Sequence, residues 1–259
     1  MKLIASRDNP TLKSLRVLMN DPRRQRHACR TVIEGAHLVE ACLAHRHPMD
    51  LLVTSESGLA HAEIESLVTS AAGVEVLCLR DALFRDLSEL ANPVGIMARI
   101  VIPPPSEHLP AADCLLLDAV QDAGNVGTLL RTASAAGVPD VVLGSGCAGA
   151  WAPRVMRAAQ GAHFSLRIHE QVDLAAFMQH YPGQSVAAVA HDGNSLYGLN
   201  LRGKTAWLLG NEGQGIAPEL IALASERATI PLEPGSESLN VAAAAAICLF
   251  EMRRQRTMA

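Results

Sequence analysis

The chain has 259 residues, of which 49% are hydrophobic and 19% charged, and its formal net charge is −4. This length suffices for two compact domains or one large one, and the composition is typical of a globular protein with a packed core. No uninterrupted apolar run approaches the ~20 residues of a membrane span, and residues 1–20 lack the apolar segment of a signal peptide. We therefore expect a cytoplasmic protein with no membrane partner.

The cysteine and histidine residues give no pattern that is typical of a metal site. His45 and His47 precede Pro48, but no third ligand is near in sequence, so a solvent-exposed loop is favoured. The cysteines are far apart and never form C-x-x-C, which predicts reduced, mostly buried thiols. The six cysteines are Cys29, Cys42, Cys78, Cys114, Cys147 and Cys248.

The charge is unevenly distributed along the chain. Residues 1–30 contain eight basic and two acidic residues, a net charge of +6, so the remaining 229 residues carry −10. A local basic surface of this kind can contact phosphates even on an acidic protein, although a solvated helix face is an open alternative. The candidate RNA-binding residues are Arg16, Arg23, Arg24, Arg26 and Arg30.

Residues 1–101 alternate between helical and extended patterns, which predicts a small α/β domain. Pro10 can open a helix that runs through Asn20 and ends at Asp21-Pro22, and an Arg-rich connection then leads to a strand at 31–35. Further helices are predicted at 36–44, 59–70 and 81–90, and further strands at 51–54, 74–77 and 95–102.

A proline-rich segment marks the domain boundary. Pro103, Pro104 and Pro105 are consecutive, so this segment can join neither a helix interior nor a β-ladder and forms a semi-rigid spacer. We place a linker at 102–112 and a second domain at 113–259. Because such a spacer separates them, we expect the second domain to keep its own core.

The second domain shows a βαβα pattern with nearly continuous apolar strands. Such runs are typical of strands covered on both faces, which predicts a mostly parallel sheet with helices on each side. Ligands of open α/β sheets bind beyond the carboxyl ends of the strands. The predicted strands lie at 114–118, 140–143, 164–168, 186–190, 206–209 and 228–230.

The usual nucleotide-binding motifs are missing from this domain. The first strand is followed by residues 118–127 without G-x-G-x-x-G, and Gly210-Asn-Glu-Gly-Gln-Gly215 has the wrong spacing and the wrong place. No G-x-x-x-x-G-K-[ST] occurs either. Both a standard dinucleotide-binding enzyme and a P-loop NTPase are therefore disfavoured, and so is a small-molecule enzyme of the doubly wound type.

Glycine-broken turns and a helix start lie together near the C-terminus, in residues 206–246. Glycine leaves backbone N–H and C=O groups unobstructed, which suits a flat polar ligand. Ser238-Leu239-Asn240 stands where a helix is predicted to begin, so polar side chains and free N–H groups would face an anionic group there.

Three segments closely resemble, in order, the three motifs of the SpoU/TrmH family of RNA 2′-O-ribose methyltransferases in the SPOUT superfamily. They are LDAVQDAGNVGTLLRTASAAG at 117–137, LLGNEGQGI at 208–216 and IPLEPGSESLNVAAAAAICLFE at 230–251. The segment TVIEGAHLV at 31–39 also resembles the ribosomal-protein-like substrate-binding domain that often precedes this catalytic domain.

The resemblance implies S-adenosylmethionine held in a deep C-terminal trefoil knot, and a homodimer whose active site includes residues from both subunits. By motif position, the residues implied to hold this cofactor are Leu209, Gly210, Asn211, Ile230, Leu232 and Leu239. The residues implied to act in catalysis are Asn125, Arg131, Glu212, Ser238 and Asn240. No metal is required.

Several roles stay open at this point. The family arginine is often proposed as the base, but a guanidinium with a pKa above ~12 resists deprotonation, so Arg131 is better suited to bind phosphate and stabilise the developing alkoxide. Glu212 could orient Arg131 or Asn125 or be a solvated loop acid, and Ser238 and Asn240 could be capping residues. The substrate is expected to be ribosomal RNA rather than transfer RNA, and a non-catalytic RNA-binding protein of the same fold is the alternative.

Overall fold

The structure, a computed structural model, describes residues 2–106 and 108–257. The first hundred residues form a five-stranded sheet with helices around it, which confirms the small α/β domain and adds a strand at Lys2–Ile4 that the sequence did not predict. The sheet order is β1-β4-β3-β5-β2, in which β5 is antiparallel to both of its neighbours. The elements are β1 (Lys2–Ile4), α1 (Pro10–Asn20), α2 (Pro22–Ala28), β2 (Arg30–Glu34), α3 (Ala36–Ala44), β3 (Met49–Ser55), α4 (Glu56–Leu59), α5 (Ala62–Ser70), β4 (Glu75–Leu79), α6 (Asp81–Leu87) and β5 (Ile96–Val101).

Beyond the proline-rich segment, the strands of the described residues form a seven-stranded sheet of order β10-β12-β9-β11-β6-β7-β8. Every pairing in it is parallel, which confirms the prediction from the apolar runs. Its elements are β6 (Cys114–Leu117), α7 (Ala123–Ala136), β7 (Asp140–Leu143), α8 (Pro153–Ala159), β8 (Arg167–His169), α9 (Leu174–His180), β9 (Gln184–Ala188), β10 (Asn194–Ser195), β11 (Thr205–Leu209), α10 (Pro218–Leu223), β12 (Glu226–Thr229) and α11 (Val241–Thr257). The trefoil knot stays a prediction.

The chain divides into two compact units. One unit runs to Pro104 and also contains Trp151–Phe164, and the other contains the rest of the described chain. The predicted division into 1–101, 102–112 and 113–259 stays a prediction. In the structure, the first unit also contains Trp151–Phe164, a segment that the prediction placed in the second domain. The second unit has a buried hydrophobic cluster that includes Leu116, Leu208 and Ile216 and contains no residue of Trp151–Phe164, and the expectation that residues 113–259 keep their own core stays a prediction.

The added segment covers an edge of the first sheet. Strand β2 is an edge strand, yet its residues from Thr31 to Glu34 are buried. The Thr31 hydroxyl donates to the Trp151 carbonyl at 2.7 Å, and Arg157 on α8 donates to Glu89 at 2.8 Å. A covered edge strand is less accessible for pairing with another chain.

The prediction of an Arg-rich connection after Asp21 was wrong, because these residues form helix α2. Asp21 caps this helix: its Oδ1 accepts from the N–H groups of Arg23 at 2.9 Å and Arg24 at 3.2 Å, and Pro22 occupies the first turn. The same Asp-Pro pair that ends α1 therefore starts a second helix.

The strand predicted at 164–168 is also displaced. Gly161 has φ +87°, and the N–H of Phe164 donates back to its carbonyl at 3.1 Å, so Ala162–Phe164 form a 3-10 turn. The Phe164 ring contacts that of His47, with 5.0 Å between centroids. The apolar side chain that suggested a strand therefore serves packing in the first unit.

His47 departs from the predicted exposed loop, whereas His45 is exposed as predicted. A ring nitrogen of His47 lies 2.7 Å from the Val101 carbonyl oxygen, and burial lowers the pKa of this imidazole. Among the described residues, no group of three or more His, Cys, Asp or Glu side chains is arranged to hold a metal ion. All six cysteines are free thiols, and four of them are buried.

No helix in the described part of the chain combines the length and apolar character needed to cross a membrane.

Candidate active site

A cavity of about 650 Å³ opens at the carboxyl ends of β9, β11 and β12, where an open parallel sheet is expected to bind its ligand. Its volume falls in the range of roughly 300–1,000 Å³ that is usual for small-molecule sites. All of the predicted cofactor-binding residues line it, namely Leu209, Gly210, Asn211, Ile230, Leu232 and Leu239. The structure therefore brings together residues that lie on three separate segments of the chain.

The loop after β11 is closed on itself by Asn211 and Gly215. Their backbone N–H and C=O groups exchange two hydrogen bonds of 2.9 Å, and Gly215 has φ +71°. The Asn211 Oδ1 also accepts from the N–H groups of Gly213 at 2.9 Å and Gln214 at 3.0 Å. Asn211 thus shapes this wall of the cavity from inside the loop.

Gly210 is required by the close approach of this loop. A Cβ at residue 210 would collide with the backbone of Gly215. The side-chain amide of Asn211 donates to the Ala119 carbonyl at 2.8 Å, and the N–H of Asp118 donates to the Leu209 carbonyl at 2.8 Å. The loop after β11 is therefore fixed to the loop after β6.

Glu212 holds the start of helix α7. Its carboxylate accepts from the Asn125 side-chain amide at 2.9 Å and from the N–H groups of Gln121 and Asp122, each at 3.3 Å. Partial burial by itself would raise the pKa of Glu212, but these hydrogen bonds outweigh it and lower that pKa below its usual value. Of the alternatives left open by the sequence, the structure selects orientation of Asn125.

Asn240 joins Asn125 to helix α11. The Asn240 side-chain amide donates to the Asn125 Oδ1 at 3.0 Å, and its own Oδ1 accepts from the N–H groups of Ala242 at 2.9 Å and Ala243 at 3.4 Å. Asn240 is thus the capping residue of α11, as the sequence predicts. A continuous hydrogen-bonded chain runs from Glu212 through Asn125 and Asn240 to the start of that helix.

The helix begins later than predicted, which changes the position of Ser238. Helix α11 starts at Val241, so Ser238 lies in the preceding loop and is not its cap. Ser238 lines the cavity together with Leu239 and Asn240. Ser238 therefore borders the space where a ligand would lie.

Arg131 stands apart from this network. It lies on α7, about 9 Å along the helix from Asn125 at 1.5 Å per residue, and its side chain is exposed. Within the described part of the chain its side chain has no hydrogen bond or ion pair, and Arg131 is not among the residues that line the cavity. The single chain brings Asn125, Glu212 and Asn240 together but leaves Arg131 free.

Two carboxylates that sequence reasoning missed support the same region. Asp122 caps α7 by accepting from the N–H of Asn125 at 2.8 Å, and Asp118 accepts from the N–H of Ala217 at 2.8 Å. The segment Ala188–Ala190 also lines the cavity. The signal that could have found that segment is its place directly after a predicted parallel strand.

The five candidate RNA-binding arginines fall into two groups. Arg16 pairs with Asp86 at 3.0 Å and Arg30 with Asp50 at 2.6 Å. Arg23, Arg24 and Arg26 lie on α2, are exposed, and have no such partner among the described residues.

Comparison with known proteins agrees with this geometry. Residues 113–250 match the SpoU rRNA Methylase family, and residues 9–98 match the MRM3-like substrate binding domain. The chain belongs to the SpoU rRNA methylase family. It is therefore an RNA methyltransferase, and the cavity and hydrogen-bonded chain described above lie within the matched methylase segment.

Individual relatives span nearly the whole chain. The 23S rRNA (guanosine(2553)-2'-O)-methyltransferase RlmP of Bacillus subtilis is 32% identical over 258 residues, covering 98% of this chain and 100% of that protein. The 23S rRNA (guanosine-2'-O-)-methyltransferase RlmB of Pseudomonas aeruginosa is 30% identical over 243 residues, covering 87% and 96%. The AdoMet-bound rRNA methyltransferase structure from Sinorhizobium meliloti superposes with a TM-score of 0.84 at 26% identity, covering 97% of each chain.

Proposed function

We propose that this SpoU methylase transfers a methyl group from S-adenosylmethionine to the ribose 2′-hydroxyl of a guanosine in 23S rRNA. The observation that carries the proposal is the hydrogen-bonded chain of Glu212, Asn125 and Asn240 beside a cavity at the ends of β9, β11 and β12. The guanosine and the 23S rRNA follow from the relatives in Bacillus subtilis and Pseudomonas aeruginosa. We also keep the expectation of a cytoplasmic protein as part of this proposal.

The residues around the cavity fit S-adenosylmethionine. Gly210 and Gly215 lie at its wall and carry no side chain over their main-chain N–H and C=O groups, and Ile230, Leu232 and Leu239 supply apolar surface. This pairing of main-chain polar groups with aliphatic walls suits an adenosine moiety. When bound, the cofactor supplies an electrophilic methyl group on a sulfonium that departs as a neutral thioether. We also propose that the C-terminal part of the chain forms the deep trefoil knot that the family resemblance implies.

The protein's contribution is positioning. Asn125 and Asn240 fix the start of α7 against the start of α11, so the groups at these two helix starts keep one geometry. Holding two ligands in a near-attack arrangement can supply several kcal/mol of the barrier. Ser238 and Asn240 line the cavity and are placed to contact the reacting groups.

Arg131 is assigned to the RNA side of the reaction. Its guanidinium is exposed and keeps its donors unengaged within the described chain, so it is available to a phosphate next to the target ribose. Binding that phosphate and stabilising the developing alkoxide require no deprotonation of the guanidinium.

We propose that the enzyme acts as a homodimer packed beside the cavity. Leu239 is 37% exposed and Phe250, on α11, is 46% exposed, although the opposite face of that helix is buried. A second copy would cover this remaining apolar face of the single chain. Leu239 also lines the cavity, so this face adjoins the site.

The proposal is tested by identifying the product. The protein is incubated with methyl-tritiated S-adenosylmethionine and, separately, protein-free 23S rRNA, 16S rRNA and transfer RNA. We expect label in 23S rRNA, 2′-O-methylguanosine after nucleoside digestion, and a reverse-transcription stop at one site at low nucleotide triphosphate. Label in transfer RNA alone, or on a base, would overturn the proposal. A protein that binds RNA but shows no binding of S-adenosylmethionine in a calorimetric titration would instead indicate the non-catalytic alternative.

A further inference from the structure

Helix α2 exposes basic side chains on every face except one. Gln25 is 4% exposed and is the buried residue of this helix. At about 100° per residue, Arg24 and Arg26 project to either side of Gln25, and Arg23 and His27 project opposite to it. All four of these residues are exposed. The helix is thus a short rod with three guanidinium groups spread around its outer surface.

Gln25 anchors the helix inward by two hydrogen bonds. Its side-chain amide donates to the Leu18 carbonyl at 2.6 Å and to the Thr31 hydroxyl at 3.4 Å. The Thr31 hydroxyl in turn donates a hydrogen bond to the Trp151 carbonyl. Because the helix is also capped by Asp21, its orientation is set before any partner binds, which reduces the entropic cost of binding.

The other basic side chains that the structure describes in residues 3–30, apart from the histidine on α2, each have a carboxylate partner. Arg7 and Arg16 both pair with Asp86, and Lys13 pairs with Asp8 at 2.8 Å. Arg30 is held by Asp50, which also pairs with Arg99 at 2.6 Å.

Helix α2 contains no acidic residue, and no carboxylate in the described part of the chain forms an ion pair with its guanidinium groups. The nearest in sequence is Asp21, whose carboxylate is committed to the backbone N–H groups of Arg23 and Arg24. The arginines of residues 3–30 that have no carboxylate partner among the described residues therefore all lie on one helix.

We infer that α2 is the surface on which this enzyme docks its RNA substrate, with Arg23, Arg24 and Arg26 contacting backbone phosphates. The inference rests on the proposed function, since it assigns the RNA-docking surface of the same enzyme. A planar guanidinium pairs with phosphate oxygens through two parallel hydrogen bonds, and its charge-assisted bonds are strong. An acidic protein would meet the same charges, but the RNA substrate supplies the regular phosphates that three arginines on one rod can contact.

The test compares two triple variants of the full chain that remove the same charge. One carries Arg23→Ala, Arg24→Ala and Arg26→Ala. The matched control carries Arg7→Ala, Lys13→Ala and Arg99→Ala, which removes only paired cations of the first unit. Filter binding of protein-free 23S rRNA is measured without S-adenosylmethionine between about 50 and 300 mM salt, and thermal unfolding checks that both variants fold.

We expect the α2 variant to bind the rRNA about one to two orders of magnitude more weakly near 0.15 M salt. Its log–log salt slope should fall by about 2 to 3, since each lost phosphate contact removes about 0.7–0.9. The control should lose less than about threefold. In methyl transfer, the α2 variant should raise KM for the rRNA and leave kcat within about twofold.

Equal losses in the two variants would show a bulk charge effect and overturn the assignment, and so would unchanged binding by the α2 variant. Neither result touches the proposed function, because methyl transfer by the wild-type chain is measured separately. Wild-type protein that binds 23S rRNA but transfers no methyl group would instead contradict the proposed function and leave the docking surface standing.

Discussion

The side-chain amide of Asn240 donates to the Asn125 Oδ1 over 3.0 Å, joining residues that are 115 positions apart in the chain. Asn125 in turn donates to Glu212 at 2.9 Å. An asparagine is suited to this central position because its side chain is both donor and acceptor. An acidic residue of the same shape accepts but cannot donate when ionised.

This directionality predicts that Asn125→Asp is more harmful than Asn125→Ala. The aspartate would place a second carboxylate against Glu212, where like charges repel by about 4 kcal/mol at 4 Å in a partly screened environment. We expect kcat/KM at least about tenfold lower for Asn125→Asp than for Asn125→Ala. Methyl transfer to 23S rRNA measures both.

Thr128→Ala is the matched control for these variants. Thr128 is an exposed residue on the same helix, and its hydroxyl donates only to the Gly124 carbonyl at 2.8 Å. It should retain activity. If Asn125→Asp proved as active as Asn125→Ala, the ordered donor–acceptor chain would not matter for the reaction.

The second prediction concerns Arg131. Arg131→Ala should abolish methyl transfer while S-adenosylmethionine binds with near-normal affinity, because Arg131 does not line the cavity. Arg131→Lys should also fail, since a point charge does not replace the planar fork. Calorimetric titration measures binding, and turnover above about a tenth of wild type in Arg131→Ala would contradict the assignment.

Much of the architecture could be predicted from local signals. Pro10 and the Asp21-Pro22 pair bound α1, and the apolar runs located the parallel strands within a few residues. The same local reasoning missed α2, because Asp21 both ends one helix and caps the next. Periodicity cannot show that a residue acts in two elements at once.

The candidate site, too, could be predicted from the sequence only in part. Membership of the cavity wall followed from motif position, and the residues assigned to the cofactor all line it. The bond from Asn240 to Asn125 could not be derived, since no spacing rule connects residues on separate motifs. Nor did the sequence indicate that Trp151–Phe164 pack within the first unit. This segment packs against β2, and only the tertiary fold determines that β2 is an edge strand.

The third prediction concerns oligomeric state. A homodimer built on the face that contains Phe250 should be disrupted by Phe250→Glu, since burying an unpaired carboxylate costs several kcal/mol. We expect light scattering to give about twice the 27.5 kDa chain mass for the wild type and the single-chain mass for the variant at micromolar concentration. Val17→Glu is the control, because Val17 is similarly exposed, at 45%, on α1. A wild-type mass equal to one chain would remove the basis for a shared active site.

The fourth prediction concerns Glu34, a carboxyl group at the end of β2. It is 4% exposed, its Oε1 accepts from the Ser88 hydroxyl, and its Oε2 is buried without a hydrogen-bond partner among the described residues. Burial raises the pKa of Glu34 above its ordinary value near 4.5, and this outweighs the opposing effects of Ser88 and Arg157.

A raised folded-state pKa means that the folded protein holds this proton more tightly than the unfolded chain. The stability that the proton contributes is complete below the unfolded-state pKa, near 4.5, and is lost as the pH rises through the folded-state pKa. Glu34→Gln keeps an acceptor for Ser88 without the buried charge. We therefore expect the free energy of unfolding of the variant to increase relative to that of the wild type as the pH rises from about 4.5 to 7.5.

Urea unfolding of both proteins at one-unit pH intervals measures this difference. Glu40→Gln, on the exposed side of α3, serves as the control and should show no such trend relative to the wild type. A stability difference between Glu34→Gln and wild type that is constant across this range would mean that Glu34 keeps the same protonation behaviour in the folded and unfolded chain. In that case its buried Oε2 must find a partner that compensates for the loss of water.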